Sequence, residues 1–537
     1  MNRNRSALRC TALLVGAACF LVGGLSAQTI EWVGTGGGTA NLSNAANWAP
    51  NSSLDSGTTW DLVFKTTGDS QPATSMIPGG SFTIRSLTMD NAAQMFNNAS
   101  GVIRFVATTA ASSTAQRTLT FGTADVAIIT LTNNVNMNVN SSTLASTNAG
   151  TPSMTLNLGY TGNGTINIDG TSQLSVTGAN ATIVGTGGLI KTGEGTLRLS
   201  GNHTYEGGFT LEQGTVIITT SGPTTTSAVT ASPWGTGTLT LLGGTIDSST
   251  NNGRTVRNHT VLNGDITIST AAAGSGNFTW SGAAGQGTTL AGNTSLNITQ
   301  TVNWTQVISG SADLTKTGTG TLRLDANHTY SGTTHVNEGT VILTAGSSLA
   351  GGLNVASGAQ FVGAGTIHGA AYIAGEHSSG NSPANQTFAS DLTYANGASV
   401  VWQLAAQSTI DSFDQITVGG RANFTGTTLL HLAFNGADST VNWADEFWST
   451  DHSWQIYDAA AVANFDNLSL ALTNWGDSSG NLFEDILAGA SFGLSTADGN
   501  IYLNYTAAAI PEPSTYAALL GLSALALVAY RRRGRRI

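Results

Sequence analysis

The densest group of side chains able to do chemistry lies between residues 443 and 458. Trp443, Asp445, Glu446, Trp448, Asp451, His452, Trp454 and Asp458 fall within 16 residues, with Trp475 and Asp477 further on. Indole faces stack on sugar rings, and paired carboxylates can hydrolyse a glycosidic bond. The stretch could therefore bind or cleave a glycan. Large apolar rings also close an open core well, so an aromatic lid is the competing reading of Trp443, Trp448 and Trp454. Asp411 and Asp414 form a second acidic pair, read as opening a strand into Ile416 and Val418. Asp477-Ser478-Ser479-Gly480-Asn481, with Glu484 and Asp485, has calcium-loop composition but not EF-hand spacing.

The other titratable groups are duplicated. Residues 191–218 read KTGEGTLRLSGNHTYEGGFTLEQGTVII and residues 316–343 read KTGTGTLRLDANHTYSGTTHVNEGTVIL, with 17 of 28 positions identical. His203 and His328 are thus equivalent, as are Lys191 and Lys316, and Arg198 and Arg323. Asn258-His259-Thr260 repeats the central triplet. A reacting residue is normally unique in its site, whereas a repeated one is structural. The histidines read as turn or ladder packing, and the lysines and arginines as a solvated ladder. No metal site, cofactor or enzymatic activity is expected. A P-loop, a dinucleotide fingerprint, a nucleophile elbow and H-E-x-x-H are all missing from the sequence.

The elements that carry these residues are short strands. In Thr196-Leu197-Arg198-Leu199 the leucines share one face, and Val216 and Ile218 do so again. Similar rhythms recur every 8–12 residues with no helical pattern between them. Glycine is 67 of 537 residues and charged residues are only 9%, which together with 40% hydrophobic residues points to all-β structure. A sandwich array and a parallel β-helix both fit. Short strands, Gly turns and Asn/Thr ladders favour the β-helix, in which stacked coils jointly bury inward Leu, Ile and Val. At roughly 20–25 residues per coil, residues 100–400 would make a rod of about 60–70 Å.

Charge separates the ends from the body. Eight of the 19 basic residues lie in the first nine or last seven positions, leaving residues 28–510 with 11 basic and 29 acidic groups, a net −18. That body should repel nucleic acid. Residues 1–27 have secretory-signal form, with Arg3, Arg5 and Arg9 before an apolar run and then Ser26-Ala27. Both cysteines, Cys10 and Cys19, fall inside that segment. The C-terminus runs Pro511-Glu512-Pro513, an apolar stretch from Thr515 to Tyr530, then Arg531, Arg532 and Arg533. As a helix the apolar stretch rises about 24 Å, short of the ~30 Å hydrocarbon core, with flanking Tyr and Arg able to make up the rest.

Two resemblances follow. The segments 187–218 and 309–343 resemble the autotransporter-associated β-strand repeat, whose K-x-G-x-G-x-L-x-L strand is matched by Lys191, Gly193, Gly195, Leu197 and Leu199, and by Lys316, Gly318, Gly320, Leu322 and Leu324. The resemblance implies a β-helical, passenger-like surface protein. The C-terminal tail resembles the PEP-CTERM sorting signal, carried by Pro511, Glu512, Pro513, the apolar helix and the Arg cluster. That implies the export machinery and an exosortase as partners, a transient stop in the inner membrane through a short transmembrane helix, and release to the cell surface or medium. It also implies proximity to exopolysaccharide. The expected organisation is a signal peptide at 1–27, an N-terminal β cap at 28–99 and a parallel β-helix at 100–376. A C-terminal β-sandwich-like domain at 377–510 and the sorting tail at 511–537 follow. The expected function is that of an exported structural or adhesive β-solenoid; the other reading is a carbohydrate-binding or polysaccharide-degrading β-helix.

Overall fold

The computed structural model describes residues 153–508 with short breaks (178–180, 223–227, 249–252, 271–276, 284, 381–382, 406–411, 437–440, 472–474 and 478). It also describes the strands between residues 28 and 140, and the helix Pro513–Arg533. The signal segment, Pro511 and Glu512 lie outside the described residues.

The fold is a parallel β-helix. One inward column shows how it is built. Leu197 pairs in register with Val216, then Ile246, Ile268 and Ile298, and none is more than 1% exposed. Alternation along each strand turns these side chains in and Thr196, Arg198, Thr215 and Ile217 out. No coil has a core of its own, because each inward side chain is dry only when the coils above and below cover it. On another face Trp280 lies directly over Trp304, ring centroids 4.5 Å apart and planes within 5°. The indoles stack because their strands are in register.

A single parallel ladder can be followed through seventeen strands, from Thr39–Asn41 to His452–Ala463. At the usual strand spacing that is roughly 75 Å. The parallel columns begin within residues 28–99 and continue across residue 377: Glu376 pairs with Ser399, Ala371 with Leu392, and Thr428 with Leu468. Among the described residues, isolated antiparallel bridges join His203 to Ser232 and Leu404 to Phe413, but pairing between antiparallel strands occurs only near the ends. Gln28–Trp32 pairs that way with Trp48–Ala49, and Asn500–Thr506 with both His452–Ala463 and Ser491–Ala497. Coil length is not uniform. Asn136 pairs with Gln173, 37 residues on, whereas Thr196 pairs with Thr215 and Thr321 with Thr340, each 19 residues on.

The two repeat copies do not sit on the same faces. The 11-residue strands Thr260–Thr270 and Thr288–Ile298 each cover two adjacent faces, with a register shift between Leu262 and Gly264. The column that holds Leu197 therefore leads through Ile298 to the strand Leu314–Thr317. That strand is the counterpart of Gly188–Thr192, not of Thr196–Leu199. The second copy is rotated by one face about the rod axis.

The tail is helical from Pro513 to Arg533, with Arg531, Arg532 and Arg533 in the last turn, where cations suit the helix dipole. Residues 519–533 are exposed. Among the described residues no helix is long and apolar enough to cross a membrane. The expected transmembrane helix therefore has no counterpart among the described residues.

Because the columns run through residue 377, the fragment 377–510 lacks the coil that covers its first rungs. Expressed alone, it should show no cooperative melt and should aggregate through its open edge. Circular dichroism and size-exclusion chromatography test this.

Candidate functional site

The repeated motif builds a sealed turn. Gly193 (φ 71°) and Gly318 (φ 73°) follow the lysine strands, and Gly214 (φ 73°) and Gly339 (φ 66°) take the stacked position one coil later. These angles favour glycine, and space enforces the choice, since a Cβ on Gly339 would come within 2.5 Å of the Gly318 and Gly320 carbonyl oxygens. Gly195 and Gly320 are as tightly packed, against Ser172 and Gln300 respectively. Leu197, Leu199, Leu322 and Leu324 all point inward and are fully buried.

Lys191 and Lys316 are not solvated, and that expectation is corrected: both are 0% exposed. Lys191 Nζ donates to the carbonyls of Thr192 and Gly193, each at 2.6 Å, and to that of Gln213 at 3.2 Å. Lys316 Nζ makes the same set with Thr317, Gly318 and Glu338. Two acceptors belong to the lysine's own turn and the third to the turn of the next coil. The ammonium therefore joins adjacent coils where the ladder must bend and leaves carbonyls without N–H partners. Burial pulls each lysine down to about 8, while Glu194 and Glu338 respectively push the other way. Arg198 and Arg323 do face outward.

His203 and His328 act as backbone surrogates. Each accepts an amide from the preceding coil through Nδ1, from Ile183 and Ile308 respectively, at 3.2 Å. The accepting Nδ1 must be unprotonated, so the proton resides on Nε2. Burial lowers both histidines to about 4. The third triplet works differently: Asn258 and Thr260 are buried and His259 is not. Asn258 Nδ2 donates to the carbonyls of Gly235 and Gly237. Two further polar groups are buried, and of these only Asp414 is marked in the sequence, as the residue that opens a strand into Ile416 and Val418. His377 is buried with Nδ1 2.6 Å from the Tyr394 hydroxyl, which in turn accepts from Tyr457. Asp414 is buried at the entry to the strand Gln415–Phe424, and its carboxylate accepts the amides of Ala384 and Gln403. Burial raises it to about 7, against the pull of those two amides.

The tryptophan cluster closes the C-terminal end. Trp443, Trp448 and Trp454 are at most 1% exposed. They pack around Phe434, Phe483, Phe492 and Tyr505, with centroids 5.1–6.5 Å apart. No indole face is open, so these rings offer no platform to a sugar and the lid reading describes their position. Three of the nearby acids are engaged in local structure. Asp445 accepts the Phe447 amide as an N-cap, Asp451 accepts the Ala507 amide, and Asp477 accepts the amides of Ser479 and Asn481 within its own turn. Among the described residues, no three potential metal-ligating side chains come together.

Comparison with known proteins agrees with this geometry. The passenger-associated-transport-repeat matches residues 189–218 and 314–343, the two segments that carry the lysine, glycine and histidine sets. The PEP-CTERM protein-sorting motif matches residues 509–534. The chain is also 32% identical over 199 residues to the adhesin BmaC autotransporter of Brucella suis biovar 1 (strain 1330). That alignment covers 34% of this chain and 5% of the relative, so the chain spans a small part of the relative's length. The chain thus carries two passenger-type repeats and a PEP-CTERM tail.

Two outcomes follow from the sealed turns. Lys316→Met keeps the apolar stem and leaves three carbonyls unpaired; chemical denaturation should show a loss of about 1–3 kcal/mol, whereas outward Arg323→Met should change stability by less than about 0.5 kcal/mol. The histidines set an acid limit. Their folded value lies below the ordinary 6.5, so between about pH 6.5 and 4 the unfolded chain holds more protons and stability falls as pH falls. The full effect is on the order of 3 kcal/mol for each ring. Asp414, raised in the fold, has the opposite slope. Thermal melts from pH 7 to 4 should fall less steeply for His203→Asn/His328→Asn than for the parent.

Proposed function

We infer that this is an exported, non-enzymatic surface protein. Its β-helix serves as a stiff structural or adhesive spacer, sorted through the PEP-CTERM tail by an exosortase and displayed among extracellular polysaccharide. The observation that carries the reading is the use made of the repeated polar groups. Lys191, Lys316, His203 and His328 are all turned inward and hydrogen-bonded to backbone between successive coils. Groups with pKa values perturbed by burial are candidates for catalysis when they line a cleft; here they hold a stack together. The tail and the partial relationship to an autotransporter adhesin support a surface location.

The test is made in an exosortase-bearing bacterium and in its exosortase deletion. With the enzyme, mass spectrometry of the surface and medium fractions should find the chain ending near residues 511–513. Without it, the intact Arg531–Arg533 tail should remain with the cells. An intact tail on the extracellular product sinks the sorting reading. Incubation of the full-length protein with neutral and acidic polysaccharides should release no oligosaccharides; release that is abolished by a single carboxylate substitution sinks the non-enzymatic reading.

A further inference from the structure

The positions where the two repeat copies differ can acquire a role without loss of the coil. Ser200 in the first copy is Asp325 in the second. There the carboxylate accepts a hydrogen bond from Arg323 Nε at 3.0 Å, and Arg323 is exposed. Above Arg323 the outward column continues with Ile342 and Val362. The corresponding column of the first copy reads Arg198, Ile217, Asp247. Only the second copy has an apolar strip two coils deep beside an ion pair. Gly380 and Ala384 line the same open groove, which has a volume of about 760 Å³. Ala384 is anchored from within, since the buried Asp414 carboxylate holds the Ala384 amide at 2.9 Å and the Gln403 amide at 3.0 Å.

We propose that this groove binds a neutral polysaccharide chain, with a sugar ring laid on Ile342 and Val362 and its hydroxyls bracketed by Arg323 and Asp325. The surface reading above supplies only the setting in which such a ligand is met. The volume is that of a ligand cleft, with an apolar floor and a few placed polar groups. A sugar ring matches both halves: its C–H face covers the aliphatic floor, and its hydroxyls both accept from a guanidinium and donate to a carboxylate. Charge selects a neutral chain, because the ion pair has no net charge and residues 28–510 carry −18. A peptide is less well served. The strand Thr340–Leu343 is already paired on both sides, so no free edge is available for strand addition. The groove is open, so a polymer can continue beyond the bound ring.

Full-length protein is titrated calorimetrically with maltohexaose, cellohexaose and a β-1,3-linked glucohexaose. An alginate hexamer and an unstructured decapeptide serve as the competing ligand types. At least one neutral hexasaccharide should bind. Val362→Arg, which fills the floor from an outward position, should weaken binding at least tenfold, as should Arg323→Ala combined with Asp325→Ala. Trp448→Phe, in the terminal lid, should leave binding unchanged. Melting curves verify that each variant is folded. No binding by any neutral hexamer, a preference for alginate or the decapeptide, or undiminished binding by Val362→Arg overturns the proposal. Sorting does not enter the titration, so loss of groove binding leaves the surface reading standing, and failed sorting leaves the groove standing.

Discussion

Each coil of this rod presents its backbone donors and acceptors along the axis, and only the neighbouring coil can satisfy them. The apolar interior obeys the same rule, since Leu197, Val216 and Ile246 exclude water from one another only by lying in register. Stability is therefore approximately a sum of contacts between nearest neighbours. The critical places are those where the ladder is interrupted, namely the corners and the ends.

The corners are handled with buried polar side chains. A tight turn between faces leaves carbonyls and amides that no strand can pair. Lys191 and Lys316 supply a donor where carbonyls converge, and His203 and His328 supply an acceptor where an amide is left over. A buried ammonium is costly to desolvate, but three carbonyl partners spanning two coils offset that cost and fix the spacing between turns. The glycines belong to the same device: without a Cβ at Gly214 and Gly339, the turn above can settle onto the turn below. At the C-terminal end, antiparallel strands and a cluster of indoles cover the last rungs.

Faces that need not seal a corner are free to vary. The rotation of one repeat relative to the other follows from two long strands that each span two faces. It places equivalent sequences beside different neighbours. Arg198 and Arg323 are the same residue in the motif, yet one column continues to Asp247 and the other to Val362. A single scaffold can thus keep its turns and still present different outer surfaces along its length.

The sequence determined the class of fold, the two copies of the coil and the inward leucines, because period-two alternation between glycine turns admits few other arrangements. It also marked His203 and His328 as structural by duplicating them. It left Trp443, Trp448 and Trp454 open between lid and sugar platform, since an indole suits both and only the surrounding rings decide. It pointed the wrong way for Lys191 and Lys316. A lysine followed by threonine and glycine looks solvated until the carbonyls of its own turn and of a turn 22 residues on, at Gln213 and Glu338, are brought to one point. The groove at Arg323, the rotation between copies and the role of Asp414 were also decided by tertiary structure. They arise from which coil lies on which, and adjacency between coils is set by packing, not by any local pattern.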